Sequence, residues 1–357
     1  MRTRSGIVYL LLLGLLLLAA CSAPEPGAGG EDQAAQSGEE AGGVLAAVRA
    51  RGRLVCGVNS AVPGFGVTNE QGQFSGFDID YCRAVAAGVL GDPDAVEYRA
   101  LDANQRFTAL QSREIDVLIR NTTWTASRDG GERAAFAHTT YYDGQGMMVR
   151  TGDFSSIDEM ANTNICTVTG TTTELNITTR FAGIPHRIQP FDNVDSLQEA
   201  FLAGACDGWT ADVSQLAGRR SVFPEGPQAL TILDEVFSKE PLGPAVRDGD
   251  SQWFDVVNWI VFSTILAEEL GITQANVEQS KTSDNADVRM LLGQPGGDQS
   301  AVLDPGLGLD PAFAVDVITA VGNYGEIFQR NIGPLGIPRG MNALWTEGGL
   351  QYAPPFR

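Results

Sequence analysis

Apolar and polar residues follow two different periods along most of this chain. Short apolar runs bounded by glycine, proline or polar residues predict β-strands, and between them apolar side chains recur at helical spacing. In the first half, strands are predicted at 54–59, 95–101 and 115–119, and helices at 77–90 and 104–113. Alternation of this kind predicts a largely parallel sheet covered by helices on both faces.

A second unit of the same kind follows. Its strands are predicted at 164–168 and 187–191, with a third ending at residue 212, and its helices after residue 171 and at 196–203. Two capping-box pairs, Thr171 with Glu174 and Ser196 with Glu199, predict where these helices begin. The chain is therefore predicted to contain two similar α/β units.

Polar side chains follow the strand at 115–119. The apolar residues stop at Arg120 and Asn121, and three threonines, among them Thr123, come next, followed by Arg128. Hydroxyl and amide groups can donate hydrogen bonds to an anion, and a planar guanidinium matches a carboxylate with two parallel bonds. The stretch therefore predicts a site for a small anion. The alternative is a loop in which the threonines make local turn bonds and the arginine is solvated.

Three further positions that follow predicted strands are candidates for contact with a ligand. The helix start at Thr171 and Thr172 offers N–H groups and hydroxyls to a second anion, or Thr171 only caps its helix. Asp212 ends a strand and begins a helix, so it is either an N-cap or a carboxylate that faces an ammonium group. Asn59, like Asn121, ends a predicted strand. In open α/β sheets, ligands bind beyond the carboxyl ends of the strands.

The charge balance excludes some classes of partner. The chain has 44 acidic and 24 basic residues, and its net charge is −20. Such a surface is a poor match for nucleic acid or for an anionic lipid face. The length of about 315 residues from residue 44 onward suffices for two lobes with a core each, and the apolar tail at 341–357 is expected to pack against them.

The first 43 residues predict export and attachment. Two arginines precede an apolar run at 7–20, which has the length of a signal-peptide core and is too short to span a bilayer. The run ends in LAAC, which resembles a bacterial lipoprotein cleavage box. Residues 1–20 are therefore predicted as a lipoprotein signal peptide, Cys21 as the lipidated first residue of the mature chain, and 21–43 as a flexible tether. Ordinary secretory cleavage that leaves Cys21 free is the alternative.

The remaining cysteines predict disulfide bonds. Four cysteines other than Cys21 are an even number in a chain predicted to be exported. Sequence alone permits three pairings, and because two cysteines fall in each half we predict the pairs Cys56–Cys82 and Cys166–Cys206. A zinc site is the competing interpretation. No close CxxC pair occurs and the chain has two histidines, so no metal site is predicted.

Several longer motifs give the chain a family resemblance. They are SGFDIDYCRAVA at 75–86, RFTALQSREIDVLIRNTTWTASRD at 106–129, YYDGQGMMV at 141–149, GTTTELN at 170–176, SKEPLGPAVRDGD at 238–250 and NYGEIF at 323–328. In this order they resemble the solute-binding proteins of polar amino-acid ABC transporters, which form family 3 of the extracellular solute-binding proteins. The tail LWTEGGLQYAPP at 344–355 resembles the general L-amino acid-binding members of that family.

The resemblance implies an α/β fold of the periplasmic-binding-protein type II class. This fold has two lobes, each a mostly parallel sheet flanked by helices, and two crossover segments are expected near 146–150 and 240–247. We expect lobe 1 at 44–149 and 245–357, and lobe 2 at 150–244. A ligand would lie between the lobes.

The resemblance also implies roles for residues at the strand ends. Seven positions match the family's ligand-binding positions: Arg128, Thr123, Asn121, Thr172, Thr171, Asp212 and Asn59. Arg128 would bind the α-carboxylate of an amino acid, Thr172 would donate to the same group from the second lobe, and Asp212 would accept the α-ammonium group.

By this resemblance the chain is expected to be the exported binding component of an ABC-type amino-acid importer. It would capture a free L-amino acid and deliver it to the transmembrane permease subunits. It would act as a monomer in the periplasm or at the cell surface, anchored to a membrane through Cys21, without a cofactor and without catalysis. Two alternatives stay open: an amino-acid-sensing receptor subunit that signals to a partner, and an enzyme on the same fold, such as a cyclohexadienyl-type dehydratase.

Overall fold

The computed structural model describes residues 43–297 and 301–357 of the 357-residue chain. The predicted signal peptide, Cys21 and nearly all of the predicted tether lie outside the described residues. The strands are β1 (Leu54–Val58), β2 (Ala61–Val62), β3 (Gly66–Thr68), β4 (Phe74–Ser75), β5 (Val96–Ala100), β6 (Val117–Leu118), β7 (Ala134–Phe136), β8 (Tyr141–Asp143), β9 (Gln145–Arg150), β10 (Thr163–Val168), β11 (His186–Phe191), β12 (Gly208–Asp212), β13 (Leu230–Ile232), β14 (Glu240–Leu242) and β15 (Ala245–Arg247). The helices are α1 (Gly43–Arg51), α2 (Phe77–Leu90), α3 (Arg106–Gln111), α4 (Thr172–Arg180), α5 (Val194–Leu202), α6 (Val213–Ser221), α7 (Ser251–Glu269), α8 (Val277–Ser280), α9 (Ala286–Leu291), α10 (Phe313–Val321) and α11 (Tyr324–Asn331).

The first lobe is built on a five-stranded sheet with the order β5-β1-β6-β15-β7. Strand β1 pairs in parallel with β5 and β6, and β15 runs antiparallel to both β6 and β7. Helix α2 packs against α7 and α10, and the core of this lobe includes the fully buried Phe77, Trp253 and Ile260. The tail joins the same core through Leu344 and Phe356, as expected from its apolar residues.

The second lobe contains the sheet β11-β10-β12-β9-β13. Strand β10 pairs in parallel with β11 and β12, and β9 runs antiparallel to β12 and β13. Helices cover both faces: Phe201 and Trp209 lie in the core on one side, and Ile177 and Phe181 lie in the core on the other. Both sheets are therefore mixed, with parallel strands at the positions where the sequence predicted β/α alternation.

A two-stranded antiparallel ribbon of β8 and β14 connects the two lobes, with Asp143 opposite Glu240. The expected lobe boundary at residue 149 and the expected crossover at 146–150 differ from this arrangement, because β9 (Gln145–Arg150) pairs in the second sheet. A strand that is buried along nearly all of its length has the same residue pattern in either sheet, so no local feature of residues 145–150 indicates which sheet they join. The second crossover lies within the expected 240–247.

Both predicted disulfide bonds are present. Cys56 of β1 is bonded to Cys82 of α2, and Cys166 of β10 is bonded to Cys206 just before β12. Each bond lies within one lobe and closes a loop, with sequence separations of 26 and 40. Loops of this length correspond to about 3 to 4 kcal/mol of stabilisation per bond by chain entropy.

The helix starts agree only in part with the predicted capping boxes. Thr171 caps α4 by accepting the N–H of Glu174 at 3.2 Å, as predicted. The predicted start at Ser196 is wrong, because α5 begins at Val194 and its N-cap is Asn193, which accepts the N–H of Ser196 at 3.0 Å. No helix in the described parts of the chain is both long enough and apolar enough to cross a membrane.

Candidate ligand-binding cleft

The strand ends of both lobes face a common cavity. Asn59 follows β1, Asn121 follows β6 by three residues, Thr171 follows β10 by three residues, and Asp212 is the last residue of β12. All four line a cavity of about 450 Å³, a volume that includes space open to solvent. The other three positions implied by the family resemblance, Thr123, Arg128 and Thr172, line it as well. The structure thus brings the seven residues together, and their roles toward a ligand stay predictions.

Arg128 projects from the first lobe out of a short π-helical turn, Ser127–Gly131. Its Nη1 atom donates to the carbonyl oxygen of Thr123 at 2.8 Å, and its guanidinium lies 5.4 Å from the ring centroid of Phe107. Burial lowers the pKa of Arg128, while the carboxylates of Glu240 and Asp212 oppose that shift. With 7 % of the residue exposed, the arginine is buried, so the interpretation of this stretch as a loop with a solvated arginine is wrong.

The two asparagines of the first lobe fix the shape of the cavity wall. Asn121 has a positive φ of 33°, a conformation that asparagine tolerates better than most residues. Its N–H donates to Oδ2 of Asp78 at 2.7 Å, and its Oδ1 accepts from Nδ2 of Asn59 at 3.0 Å. Oδ1 of Asn59 in turn accepts the N–H groups of Ser60 and Ala61. These bonds hold both amides in place at the edge of the cavity.

Thr172 is the first residue of α4, in the second lobe. Its hydroxyl donates to Oε2 of Glu240 at 2.7 Å, and its Oγ1 lies 3.4 Å from Oγ1 of Thr123. Because a hydroxyl has one hydrogen, the bond to Glu240 uses the donor of this side chain. The first N–H groups of a helix have no intrahelical acceptor, so the backbone at the start of α4 still offers donors to an anion.

Asp212 is the last residue of β12 and directly precedes α6. Asp212 occupies the N-cap position of α6, as one of its two interpretations predicted, but its side chain accepts no hydrogen bond from the first turn, so its carboxylate does not cap the helix. The residue is only 6 % exposed. Burial, and then the carboxylates of Asp143 and Glu240, raise the pKa of Asp212 well above 3.8, whereas Arg128 and Arg106 lower it. A buried carboxylate that costs free energy in this way is suited to a cationic partner.

Several cavity residues were not predicted. The polar ones are Arg106, Arg120, Thr173, Thr210 and Gln215. Arg120 stands directly after the predicted strand at 115–119, and a cation at the end of a strand is itself a sequence signal for an anion site. Arg106 and Gln215 gave no such signal, because they begin or lie within helices and reach the cavity only through packing. In the described residues, no group of three or more histidines, cysteines or carboxylates is arranged to hold a metal ion.

The two lobes touch across the cavity. Nη2 of Arg106 lies 3.4 Å from the carbonyl oxygen of Gly170, and Nδ2 of Asn121 lies 3.5 Å from Oε1 of Gln215. A Cβ atom added at Gly218 of α6 would lie 2.4 Å from the carbonyl oxygen of Pro63, in the first lobe. This closeness means that only a glycine fits at residue 218 in the present arrangement of the lobes.

Known proteins share this sequence and architecture. Residues 54–272 match the model of the bacterial extracellular solute-binding proteins, family 3. The chain is 49 % identical over 319 residues to the general L-amino acid-binding periplasmic protein AapJ of Rhizobium johnstonii, covering 88 % of this chain and 92 % of that protein. It is 46 % identical over 328 residues to the glutamate/glutamine/aspartate/asparagine-binding protein BztA of Rhodobacter capsulatus, covering 90 % and 95 %.

A solved structure shows the same fold. A periplasmic binding protein of an ABC transporter from Brucella ovis, with glutathione bound, superposes with a TM-score of 0.84 at 47 % identity, covering 88 % of this chain and 99 % of that one. The fold is therefore the two-lobed type II periplasmic-binding-protein fold, as the resemblance implied.

Proposed function

This chain belongs to family 3 of the bacterial extracellular solute-binding proteins, and from that premise we propose that it is the extracytoplasmic binding component of an ABC-type importer of L-amino acids. The names of the two relatives above describe proteins that bind α-amino acids. The sequence identity of 49 % and 46 % to these relatives, over 88 % and 90 % of this chain, supports the same ligand class for this protein. The ligand shares its α-carboxylate and α-ammonium groups with every member of that class.

The proposal rests on one observation above all: Asp212 is buried, makes no cap hydrogen bond, and lines the same cavity as Arg128. An amino acid is a zwitterion, and its transfer from water is costly unless each charge meets an opposite, hydrogen-bonded partner. Arg128 binds the α-carboxylate with the donors that its bond to Thr123 leaves over, and Asp212 accepts the α-ammonium group. Thr123 and the N–H groups at Thr172 complete the carboxylate side.

Because the two charged groups lie on opposite lobes, binding of the amino acid is coupled to closure of the lobes. Arg128 belongs to the first lobe and Asp212 to the second, so the ligand bridges them only when the lobes come together. The ligand therefore selects the closed arrangement through contacts that the open one lacks. The permease recognises that closed arrangement and receives the unchanged amino acid.

The proposal includes a location. The chain is exported by its signal peptide, and lipid on Cys21 attaches it to a membrane, with residues 21–43 as the tether. The monomer then samples solutes near the permease while it stays in the periplasm or at the cell surface.

A thermal-shift panel of the common L-amino acids tests this function. A ligand present at a hundred times its dissociation constant adds about 2.7 kcal/mol to the free energy of unfolding, which raises the melting temperature measurably. We expect shifts with L-amino acids, and none with the matching amines or carboxylic acids that carry only one of the two charges. Recovery of the ligand unchanged after long incubation is expected, and turnover would contradict the proposal. Absence of any shift across the panel would also contradict it.

A further inference from the structure

The ribbon that connects the two lobes carries a pair of carboxylates. Asp143 is the last residue of β8 and Glu240 is the first residue of β14, and the two pair directly opposite each other. Residues in such positions project their side chains to the same face of the ribbon, where like charges are destabilising. Both residues are buried, and neither forms an ion pair within the part of the chain that the structure describes.

Glu240 accepts hydrogen bonds from the second lobe and from the chain that enters the ribbon. Its Oε2 atom accepts the hydroxyl of Thr172 at 2.7 Å. Its Oε1 atom accepts from Nδ2 of Asn176 at 2.9 Å and from Oγ of Ser238 at 2.6 Å. Thr172 and Asn176 lie on one face of α4. These donors supply the hydrogen bonds that an ionised carboxylate needs, and they attach Glu240 to the start of α4.

Asp143 has fewer donors and contacts a different helix. Its Oδ2 atom accepts the hydroxyl of Ser214, and its Oδ1 atom accepts the N–H of Gly144 at 2.8 Å. Ser214 lies in the first turn of α6, the helix that follows Asp212. The two carboxylates of the ribbon are therefore attached to α4 and α6, the helices whose first residues or N-cap line the ligand cavity.

Titratable and charged groups of both lobes act on this cluster. They are Tyr141 of β8, Glu240 of β14, Asp212 before α6, and Arg106 and Arg128 of the first lobe. Burial, and then the charges of Asp143 and Asp212, raise the pKa of Tyr141, so its phenol stays neutral. The groups that can exchange a proton in the cluster are therefore the carboxylates.

The carboxylates oppose one another's ionisation. Burial raises the pKa of Asp143 to about 6, and the charge of Glu240 adds to this shift, while the hydrogen bonds from Ser214 and Gly144 oppose it. Burial, and then the charges of Asp143 and Glu240, raise the pKa of Asp212 well above 3.8. When two such groups interact strongly, the proton belongs to the pair and not to either residue.

We propose that Asp143 is a positioning residue that shares one proton with Asp212 in the ligand-free protein, so that amino-acid binding releases this proton to the solvent. The inference rests on the proposed function, in which Asp212 accepts the α-ammonium group of the ligand. That cation enters a cluster of three carboxylates and favours the ionised form of each. One positive charge arrives as one proton leaves, and ionised Asp143 then adds its attraction for the ammonium group to that of Asp212.

The sign of the pH dependence follows from the number of bound protons. The ligand-bound protein holds fewer protons than the ligand-free protein, so amino-acid affinity rises with pH. Release of one proton corresponds to at most about tenfold in the dissociation constant per pH unit. The affinity should therefore rise by about tenfold or more from pH 5 to pH 8, and the rise should include the range around pH 6 in which Asp143 ionises.

Calorimetric titration with L-glutamine, whose side chain does not titrate, measures this coupling at pH 5, 6, 7 and 8. At each pH, two buffers of different ionisation enthalpy give the number of protons released. Wild-type protein should release on the order of one proton per ligand at pH 6. Asp143→Asn keeps the shape of the side chain but cannot share a proton. Its proton release at pH 6 should be smaller at least about twofold, and its affinity should rise correspondingly less with pH.

Ser214→Ala should move the same pH profile in the other direction. The hydroxyl of Ser214 favours the ionised form of Asp143, so its loss lets Asp143 keep the proton to a higher pH. The rise in affinity should therefore shift to higher pH in this variant. A merely structural role of Ser214 would lower the melting temperature and leave the pH profile in place. This variant also tests the proposal if Asp143→Asn does not fold.

Asp158→Asn is the matched control, because Asp158 is an exposed carboxylate of the second lobe that pairs with Arg180 and does not line the cavity. Its pH profile should equal that of the wild type. An affinity of the wild type that is constant from pH 5 to pH 8, or unchanged proton release in Asp143→Asn, would overturn the coupling. The proposed function would then stand, since binding itself is observed. Wild-type protein that binds neither L-glutamine nor any other amino acid would overturn both.

Discussion

The Asp212→Asn variant separates two effects of the buried carboxylate of Asp212: its effect on the stability of the ligand-free protein and its effect on ligand affinity. The substitution keeps the shape of the side chain and removes its charge. Because Asp212 makes no cap hydrogen bond and its pKa is raised by burial, Asp143 and Glu240, the ionised carboxylate destabilises the ligand-free protein. We therefore expect the ligand-free melting temperature of the variant to equal or exceed that of the wild type. Ligand affinity should change in the opposite direction.

The size of the affinity loss follows from the uncompensated charge. Removal of one partner of a buried ion pair costs about 3 to 5 kcal/mol, since the other charge stays buried without a counterion. That range corresponds to about 10²- to 10⁴-fold in the dissociation constant. The raised pKa of Asp212 reduces this loss, because part of the wild-type binding energy is used to release its proton. The loss should grow as the pH rises.

Titration calorimetry with one L-amino acid at pH 6 and pH 8, in buffers of different ionisation enthalpy, measures both effects. Wild-type protein should release protons on binding, and the variant should not. Asp207→Asn is a matched control in the same lobe, because its Oδ2 accepts the N–H of Asn164 outside the cavity. Near-native affinity in folded Asp212→Asn protein would refute the reasoning. A lower ligand-free melting temperature with unchanged affinity would instead mean that the carboxylate of Asp212 stabilises the fold and does not contact the ligand.

Four further predictions concern other parts of the molecule. Arg128→Lys keeps the charge but loses the planar fork, so amino-acid affinity should fall at least about tenfold in calorimetry, and an unchanged affinity would contradict the carboxylate role. Gly218→Ala places a Cβ atom 2.4 Å from the carbonyl oxygen of Pro63 in the other lobe, so amino-acid affinity should fall by about tenfold while the melting temperature of the ligand-free protein stays the same. An affinity equal to that of the wild type would mean that the lobes of the ligand-bound protein are further apart than in this structure. Burial raises the pKa of Asp78 from 3.8 to about 7, so the folded state binds the proton of this carboxyl group more tightly than the unfolded state does. The wild-type protein should therefore lose stability as the pH rises from about 4 to 7, whereas the Asp78→Asn variant should not. The difference in melting temperature between variant and wild type should grow over that pH range, and a constant difference would contradict the shift. Cys21→Ser should move the protein from the membrane fraction to the soluble fraction without loss of binding, and persistent membrane association would contradict lipidation.

The sequence predicted the elements whose periodicity is local. Helix α2 has the predicted bounds of 77–90, and β1, β5, β10 and β11 agree with their predicted strands within about two residues. The β8–β14 ribbon was not predicted, because each strand has three residues and its pairing depends on a partner about a hundred residues away. Helix α1 and helix α10 were also missed, the second because its nearly continuous apolar run lacks a polar face.

The cavity residues that follow strands were predictable from the sequence, and those at other positions were less so. Asn59, Thr171 and Asp212 all follow strands, and the topology of an α/β sheet is sufficient to bring such positions together. The choice between cap and ligand residue was not predictable, because Thr171 and Asp212 have the same local spacing. Thr171 caps its helix and Asp212 does not, and the difference depends on side-chain direction. Arg106 was missed because a helix start that is buried by another lobe has no local signature.

The charges of the cavity bear on the proposed function, because Asp212 and Arg128 are both buried and burial disfavours the ionised form of each. If the proposal holds, an open cleft would return both groups to water, and the ligand-free protein would gain free energy by opening. A carboxylic acid without an amine would compensate Arg128 and leave Asp212 uncompensated, and an amine without a carboxylate would do the reverse, so neither would offset the cost of closure. A zwitterion would compensate both groups at once, and closure would then depend on the presence of a complete amino acid.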